Sequence, residues 1–440
     1  MEILIKAAQF FLSLSILVIV HEFGHFLAAK WFNARVEKFY LFFNPWFSIF
    51  KFKKGETTYG MGWLPLGGYV KISGMIDESM DKDQMKKPPQ PHEFRSKPAW
   101  QRLIIMVAGV VFNLILAVII YIGMLSITGE RYLPAENVKY GIVADTLAQE
   151  IGLETGDKII AINNKEVNDF MDIPVKFTRG EAENVTVKRN SDQVTLEVPG
   201  DFYGKLISAR GAGFIHIRFP FIINRLQDGS AAQKAGIKEN DHILGINDKE
   251  TWSFHEFRKE VDKYKGKETT LLVSRDDTIK EISMKIPEDG ILGVYPKSEA
   301  ELLEFEDINY SFLAAIPAGA AKAYNTTVSY IKDFALLFRP EVKASESLGG
   351  FITIGGIFSP TWNWQHFWTI TAFLSVILAI MNLLPIPALD GGHVMFLLYE
   401  IIAGRKPGDK FMEYAQMIGM ILLLSLLLYV NFNDVMRLFN

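Results

Sequence analysis

Two histidines and a glutamate near the start of the chain have the types and spacing of a zinc site. The segment reads His21-Glu22-Phe23-Gly24-His25. On a helix, both imidazoles would lie on one face, one turn apart, where they can bind one zinc ion. Glu22 follows the first histidine and can accept a proton from water that the ion activates. The chain contains no cysteine, so further metal ligands must come from His, Asp or Glu.

A distant segment offers a third ligand. From Asn382 to His393 it reads Asn-Leu-Leu-Pro-Ile-Pro-Ala-Leu-Asp-Gly-Gly-His. The prolines interrupt a helix and the glycines allow a tight turn, so the Asp390 carboxylate can point into a polar cavity. On chemistry alone, either Asp390 or His393 could bind the metal. The alternative is an ordinary helix end, in which Asp390 caps the next helix.

The composition indicates that these groups are carried by a membrane protein. Hydrophobic residues make up 49% of the 440 residues, and the mean hydropathy is positive. The net charge is only -4, with basic and acidic residues interspersed, so no nucleic-acid partner is expected. Three apolar stretches are long enough to span a bilayer, namely 103–127, 367–389 and 414–430.

The first apolar stretch, from Ala7 to Val20, is about 14 residues long and too short to span a membrane alone. We therefore predict that its helix continues through His21 and His25 toward Ala29. An ionisable group at this depth costs at least about 2.5 kcal/mol on insertion scales, so the cluster needs partners or a function. A cleaved signal peptide and hydrogen-bonded core histidines are the alternatives.

The orientation follows from the lysines and arginines near the span ends. They are concentrated in the loop after the first span and in the short loop before the last one, which predicts that both loops are cytoplasmic. Both termini and the long stretch from Gly129 to Gln365 are then extracytoplasmic. Within that stretch, residues 307–338 mix apolar and charged positions, which favours an interfacial helix over a further span.

The long stretch contains an internal repeat with a spacing of 84 residues, Ala148 matching Ala232. Both copies follow the pattern of a short helix, a glycine turn and an alternating strand, which resembles PDZ domains. Such a fold can capture a peptide as an added strand, but the copies could equally be spacers or size filters. The segments Gly141-Ile142-Val143 and Phe221-Ile222-Ile223 occupy the expected place of the carboxylate-binding loop without its usual sequence.

Taken together, these motifs resemble the site-two proteases, a family of intramembrane zinc metalloproteases. The resemblance covers nearly the whole chain: His-Glu-x-x-His in the first span, two central PDZ-like copies, and Leu-Asp-Gly-Gly in the third span. It implies one Zn²⁺ ion per chain, with Asp390 as the third ligand beside His21 and His25, and Glu22 as the catalytic base. It leaves His393 a supporting role.

The resemblance also implies residues that bind substrate. Asn382, Pro385 and Pro387 would line the substrate path. The segment from Gly60 to Lys71 reads as strand, turn and strand and is similar to a membrane-reentrant β-hairpin of the family, whose edge could hold an unwound substrate. Gly109 and Asn113 match a family Gly-x-x-x-Asn pattern, although plain close helix packing would also explain them. The substrate-binding candidates are therefore Asn382, Pro385, Pro387, Gly67, Gly68, Tyr69 and Asn113.

The fold expected is a polytopic α-helical membrane protein with four transmembrane helices, a membrane-reentrant β-hairpin and two inserted α+β PDZ-like domains. The predicted divisions are the first span at 1–30, the cytoplasmic loop with the hairpin at 31–102, the second span at 103–128, the PDZ-like domains at 129–215 and 216–298, the interfacial helix and linker at 299–361, the third span at 362–403, and the fourth span with the C-terminus at 404–440.

The expected function is regulated proteolysis within a bacterial inner membrane, with the active site toward the cytoplasm and the PDZ-like domains in the periplasm. By resemblance, the substrates are transmembrane helices of anti-sigma factors after a first cut and of remnant signal peptides. Peptide ligands of the PDZ-like domains are further candidate partners. Two rival hypotheses remain: a membrane-anchored PDZ scaffold with a vestigial metal site, and a metal-ion transporter, because intramembrane His and Asp also mark ion paths.

Overall fold

The computed structural model describes residues 1–65, 67–75, 88–209, 213–340, 342 and 348–437. These residues form two compact units. The first, here the membrane unit, comprises Met1–Gly129, Asn309–Phe338 and Lys343–Asn440. The second, here the inserted unit, comprises Glu130–Ile308 and Arg339–Val342.

The helices of the described residues are numbered in chain order. They are α1 (Glu2–Trp31), α2 (Ala99–Thr128), α3 (Thr146–Glu150), α4 (Asp172–Thr178), α5 (Phe202–Ser208), α6 (Ala231–Lys234), α7 (Phe254–Val261), α8 (Glu299–Leu302), α9 (Phe312–Leu336), α10 (Phe351–Gly356), α11 (Trp364–Leu383), α12 (Asp390–Ala403) and α13 (Asp409–Arg437).

The strands are numbered in the same way. They are β1 (Val36–Leu41), β2 (Phe50–Lys54), β3 (Thr57–Met61), β4 (Tyr69–Ile72), β5 (Glu130–Tyr132), β6 (Ile142–Ala144), β7 (Lys158–Ile162), β8 (Lys165–Glu166), β9 (Asn184–Arg189), β10 (Asp192–Glu197), β11 (Ile215–Ile217), β12 (Ile223–Leu226), β13 (His242–Ile246), β14 (Lys249–Glu250), β15 (Glu268–Arg275), β16 (Thr278–Lys285), β17 (Val294–Pro296) and β18 (Glu306–Ile308).

Four helices of the membrane unit, among the residues described, are long and apolar enough to cross a membrane. They lie within Glu2–Trp31, Ala99–Thr128, Trp364–Leu383 and Lys410–Met436. Local sequence explains their ends: α2 starts directly after Pro98 and stops before Gly129, whose φ of 69° is favourable for glycine. The four-span prediction is confirmed to this extent, and the first helix does continue through the histidines.

Small residues bring the first two spanning helices together. A Cβ atom on Gly24 of α1 would lie 2.5 Å from the carbonyl oxygen of Ala108 on α2, so the two backbones nearly touch there. Hydroxyl groups connect α1 with α11, where Thr371 donates to Ser13 at 3.0 Å. The histidine-bearing segment is therefore packed against α2 rather than turned toward lipid.

The third predicted span is divided into two helices. The α11 helix ends at Leu383, an irregular loop follows, and α12 begins at Asp390. Within that loop Ala388 has a φ of 85°, an unfavourable value for a residue with a side chain. Gly392 allows α12 to start beneath the loop, because a Cβ atom there would lie 2.7 Å from the carbonyl oxygen of Ile386.

The segment from Gly60 to Lys71 differs from the predicted hairpin. Its two strands, β3 and β4, do not pair with each other, because β1 lies between them in the order β2-β3-β1-β4. The hairpin in this sheet is instead β2–β3, and β1 pairs with β3 in parallel. Leu66, in the connection between β3 and β4, lies outside the described residues. The prediction of a strand at each end was right, but the pairing was wrong.

The inserted unit contains two modules with the same strand order. The sheet of the first is β10-β9-β7-β8, and that of the second is β16-β15-β13-β14. Each module has its own buried apolar core, centred on residues such as Phe177 and Val185 in the first and Phe257 and Leu271 in the second. The sequence repeat therefore corresponds to a repeated fold.

Each module also contains the same buried ion pair. Arg189 donates to the buried Asp157 at 2.8 Å, and Arg275 donates to the fully buried Asp241 at 2.7 Å. The hydrogen bond to Asp157 raises the pKa of Arg189, and the bond to Asp241 does the same for Arg275. Both arginines end the strand that pairs with the alternating strand of the repeat, so the pair is part of the repeated pattern.

The chain enters and leaves the inserted unit through two paired strands. At the beginning, β5 pairs with β18 at the end, with Glu130 opposite Ile308 and Arg131 opposite Asp307. Arg131 donates to the carboxylate of Asp307 at 2.8 and 3.2 Å. This two-stranded stem therefore brings the beginning and the end of residues 130–308 together.

Candidate active site

Three predicted metal ligands from opposite ends of the chain meet in the membrane unit. The Nε2 atoms of His21 and His25 lie 3.1 and 3.2 Å from the Asp390 Oδ2 atom. The two Nε2 atoms are 3.2 Å apart. Both histidines are buried, with exposed fractions of 8% and 7%. Among the described residues, this is the group of His, Asp and Glu side chains whose geometry could hold a metal ion.

The hydrogen bond at the Nδ1 atom of His25 determines whether its Nε2 atom has a lone pair available for a metal. Its Nδ1 lies 2.8 Å from the carbonyl oxygen of Ile105, which can only accept a hydrogen bond. The proton of a neutral His25 ring therefore belongs on Nδ1, and the Nε2 lone pair is left for a metal. Since helix α2 supplies this carbonyl group, it fixes the tautomer of a candidate ligand on α1.

Asn113 contacts the Nδ1 atom of His21, as the Ile105 carbonyl group contacts that of His25. Its side-chain amide contacts the His21 Nδ1 atom, with the Nδ2 atom at 3.3 Å, and the residue is fully buried. The Asn113 Oδ1 atom is buried without a hydrogen-bond partner. Rotating the amide would let this oxygen accept a bond from Nδ1–H, so that His21 also presents its Nε2 lone pair.

The donor set fits a divalent cation. Three atoms that carry lone pairs converge, and the Asp390 Oδ2 atom is buried without a hydrogen-bond donor. Such a grouping is repulsive without a positive charge between its members. Two imidazole nitrogens and one carboxylate oxygen are the ligands of a catalytic zinc site, which keeps its fourth position open.

Two glycines make room around this cluster. A Cβ atom on Gly109 of α2 would collide with the His25 Nε2 atom and lie 2.7 Å from the His21 Cε1 atom. Gly68 lies on the other side, where a Cβ atom would be 3.1 Å from the Glu22 Cγ atom and 2.7 Å from Val18. Both backbones thus approach the cluster closely.

Glu22 lies between the ligands and β4. It is close enough to His21, His25 and Asp390 for direct electrostatic interaction, and the Val70 N–H group donates a hydrogen bond to its carboxylate. The β4 strand lies at the edge of its sheet and directs this backbone donor at the carboxylate. The Glu22 carboxylate is therefore held beside the ligand cluster.

The predicted substrate-binding residues are distributed around the cluster rather than gathered at one point. Asn382 is the last residue but one of α11, and Pro385 is exposed in the loop before Asp390. Tyr69 stacks on Tyr40 at 5.3 Å and donates its hydroxyl to Asn44, so its side chain is engaged within the sheet. Gly67, with a φ of 137°, turns the chain into β4.

The remaining predicted residues occupy supporting places. Pro387 packs against Gly419 of α13, and His393 contacts Gln416 of the same helix at 3.0 Å. Sequence reasoning did not identify Gly419, Gln416 or the Ile105 carbonyl group. The only sequence signal would have been a single glycine in an otherwise apolar helix, and a backbone carbonyl has none.

The comparisons with known proteins agree with this site. The model of peptidase family M50 matches residues 9–426. A candidate zinc metalloprotease of Campylobacter jejuni is 30% identical over 97% of this chain and 92% of its own length. The regulator of sigma E protease of Haemophilus influenzae is 27% identical over the full length of both chains, and that of Salmonella typhi is 28% identical over the full length of both.

The family match covers both halves of the ligand cluster, from the histidines on α1 to Asp390 on α12. It also spans the inserted unit between them. The chain belongs to peptidase family M50 and is a metalloprotease.

Proposed function

We propose that the chain is an intramembrane zinc protease that cuts the transmembrane segments of single-span membrane proteins. His21, His25 and Asp390 would bind one zinc ion, and Glu22 would be the general base. The observation that carries this proposal is the convergence of three ligand atoms, all within 4.8 Å of one another, on and beside helices that are apolar enough to cross a membrane.

Glu22 would move the proton in this reaction. Bound zinc supplies Lewis acidity, which polarises the scissile carbonyl group and makes water easier to deprotonate. Glu22 accepts a proton from the attacking water and later delivers it to the leaving amine. The Val70 N–H group keeps the carboxylate in place during both transfers. Ile105 and Asn113 hold the two imidazole rings in the orientation that the reaction needs.

A transmembrane substrate would have to unwind before it is cut, because its carbonyl groups are hydrogen bonded within its own helix. The edge of β4 supports an extended substrate, since an added strand beside it would lie next to Glu22. Gly67 and Gly68 would keep this edge free of side chains. Asn382, Pro385 and Pro387 would line the path on the other side, where the broken helix exposes backbone groups.

We propose that the two modules of the inserted unit are PDZ-like domains that restrict which substrates are cut. Two relatives are named as regulators of sigma E, so the substrate class proposed here is anti-sigma factors already trimmed by another protease, with remnant signal peptides as a second class. Peptide capture along β11 or β17 would be an additional function. The modules and both termini would lie in the periplasm of a bacterium with an inner membrane.

The restriction can be tested by removing the inserted unit. Cleavage of a trimmed and an untrimmed model substrate is compared between the full chain and a variant in which a short linker replaces residues 130–308. We expect the variant to cut both substrates, whereas the full chain cuts the trimmed one. Unchanged selectivity in the variant would contradict the filter.

The catalytic proposal is tested by Glu22→Gln. This change keeps the ligands and the shape of the side chain but removes the base, so we expect native zinc content and a loss of cleavage of about 100-fold or more. Zinc content is measured by mass spectrometry, and cleavage with a model transmembrane peptide in nanodiscs. Full cleavage by the variant would mean that Glu22 is not the base. Cellular function that survives the change without cleavage would favour a scaffold, and zinc flux into vesicles that survives it would favour a transporter.

A further inference from the structure

Helix α13 is attached to the rest of the membrane unit through few of its side chains. Most of its large apolar residues are exposed, including Ile418 at 62% and Leu428 at 69%. Near its end, Asp434 accepts bonds from Thr353 of α10, and near its start Phe411 packs against Phe396 of α12. The central contacts of α13 are therefore of special interest, because they lie beside the ligand cluster.

Gly419 is the closest of these central contacts. A Cβ atom on this residue would collide with the carbonyl group of Pro387 and lie 2.9 Å from the Pro387 Cβ atom. The helix backbone thus presses directly on the loop that leads to Asp390. This loop contains Ala388 in an unfavourable conformation, so its shape depends on support from its surroundings.

Gln416 provides a second contact on the same face of α13, one turn earlier. Its side-chain amide lies 3.0 Å from the His393 Nε2 atom. Pro387 and His393 stand three residues before and three residues after Asp390. The fourth spanning helix therefore contacts the chain on both sides of the third ligand.

We propose that Gly419 and Gln416 are positioning residues for the Asp390 carboxylate, acting through Pro387 and His393. The inference rests on the proposed metal site. A metal ligand has to be held within a few tenths of an ångström, and α12 alone holds Asp390 only at its first residue, where a helix is least constrained. The contacts from α13 supply the missing constraint, and they make the affinity for zinc depend on a helix that carries no ligand.

The test compares the same substitution at two glycines in spanning helices. Gly419→Ala adds a methyl group against Pro387, whereas Gly123→Ala adds one where no atom lies within 4 Å. Zinc affinity of the full chain is measured by competition with a chromophoric chelator, together with thermal unfolding of the metal-free protein. We expect Gly419→Ala to weaken zinc binding about tenfold or more, the range for residues behind the ligands, with Gly123→Ala unchanged.

Gln416→Leu keeps the test decisive if Gly419→Ala does not fold, because it removes the contact to His393 without adding bulk near Pro387. Weakened zinc binding at an unchanged unfolding temperature of the metal-free variant supports positioning. Native affinity in Gln416→Leu and in every folded Gly419 variant overturns it. If the native chain itself bound no stoichiometric zinc, the proposed function would fail instead, so the two failures are distinguishable.

Discussion

At the scale of single residues, the orientation of each histidine depends on the group that its Nδ1 atom contacts. His25 is oriented by a carbonyl group that can only accept a hydrogen bond, and His21 by an amide that can either donate or accept. Both partners belong to α2, which carries no predicted ligand. The chemistry of His21 and His25 therefore depends on a helix that the zinc motif does not include.

The role of Asn113 leads to a prediction about zinc affinity. Asn113→Leu removes the acceptor for the His21 Nδ1–H group, so we expect zinc binding to weaken by about tenfold. Asn113→Asp retains an acceptor at the same place and should bind zinc nearly as well as the native chain. Chelator competition measures both. Equal affinity of the leucine variant and the native protein would mean that Asn113 does not orient His21.

At the scale of elements, the sequence predicted helices better than strand pairing. The four spans follow from the length of their apolar runs, and the break before Asp390 follows from two prolines and two glycines. The pairing of β1 with β3 in parallel depends on contacts between segments that are not adjacent in sequence. Local alternation could therefore find β3 and β4 but not the strand between them.

The candidate ligands could be proposed from the sequence because chemistry restricts their residue types and spacing, and the structure brings His21, His25 and Asp390 together. The contact of Gly419 with Pro387 was not, because one glycine in an apolar helix gives no indication of its partner. The repeat predicted two similar modules, and the structure has two sheets of the same order. The repeat could not predict the contact between His216 of the first module and His255 of the second. These two histidines stand at unrelated positions of the repeat.

This histidine pair predicts a pH effect on the inserted unit. The rings of His216 and His255 stack at 4.4 Å, and burial together with His216 lowers the pKa of His255. Below about pH 6.5, His255 binds a proton in the unfolded chain more readily than in the folded chain. The free energy of unfolding therefore falls as the pH falls. We expect the unfolding temperature of the unit to decrease between pH 7 and pH 5.

His255→Phe is the matched variant, because it keeps an aromatic ring against His216 but cannot be protonated. The decrease should be smaller in this variant when thermal unfolding is followed at both pH values. An identical decrease would assign the effect to other groups, such as His242, whose pKa is also lowered by burial.

At the scale of the whole molecule, the candidate metal site joins two distant parts of the chain. The histidines are on α1, Asp390 is on α12, and the complete inserted unit lies between them in sequence. A cation bound by all three side chains would stabilise the folded membrane unit relative to its unfolded state. The inserted unit has its own cores and ion pairs, so we expect its stability not to depend on this cation.

Removal of zinc should therefore affect the two units differently. After treatment with a strong chelator, we expect loss of cleavage and a lower unfolding temperature for the membrane unit, with the transition of the inserted unit unchanged. Zinc added back should restore both properties. Differential scanning calorimetry of native and Glu22→Gln protein gives the measurement, and an equal shift in both transitions would argue against a site confined to the membrane unit.

The stem of β5 and β18 has a consequence for how such proteins can change. Because Glu130 and Ile308 are opposite each other in one ladder, the points where the insertion begins and ends are about 5 Å apart. A shorter, longer or unrelated module with neighbouring termini could be joined at the same place without altering the helices on either side. The stem is thus a point at which evolution could replace the inserted unit while keeping the membrane unit intact.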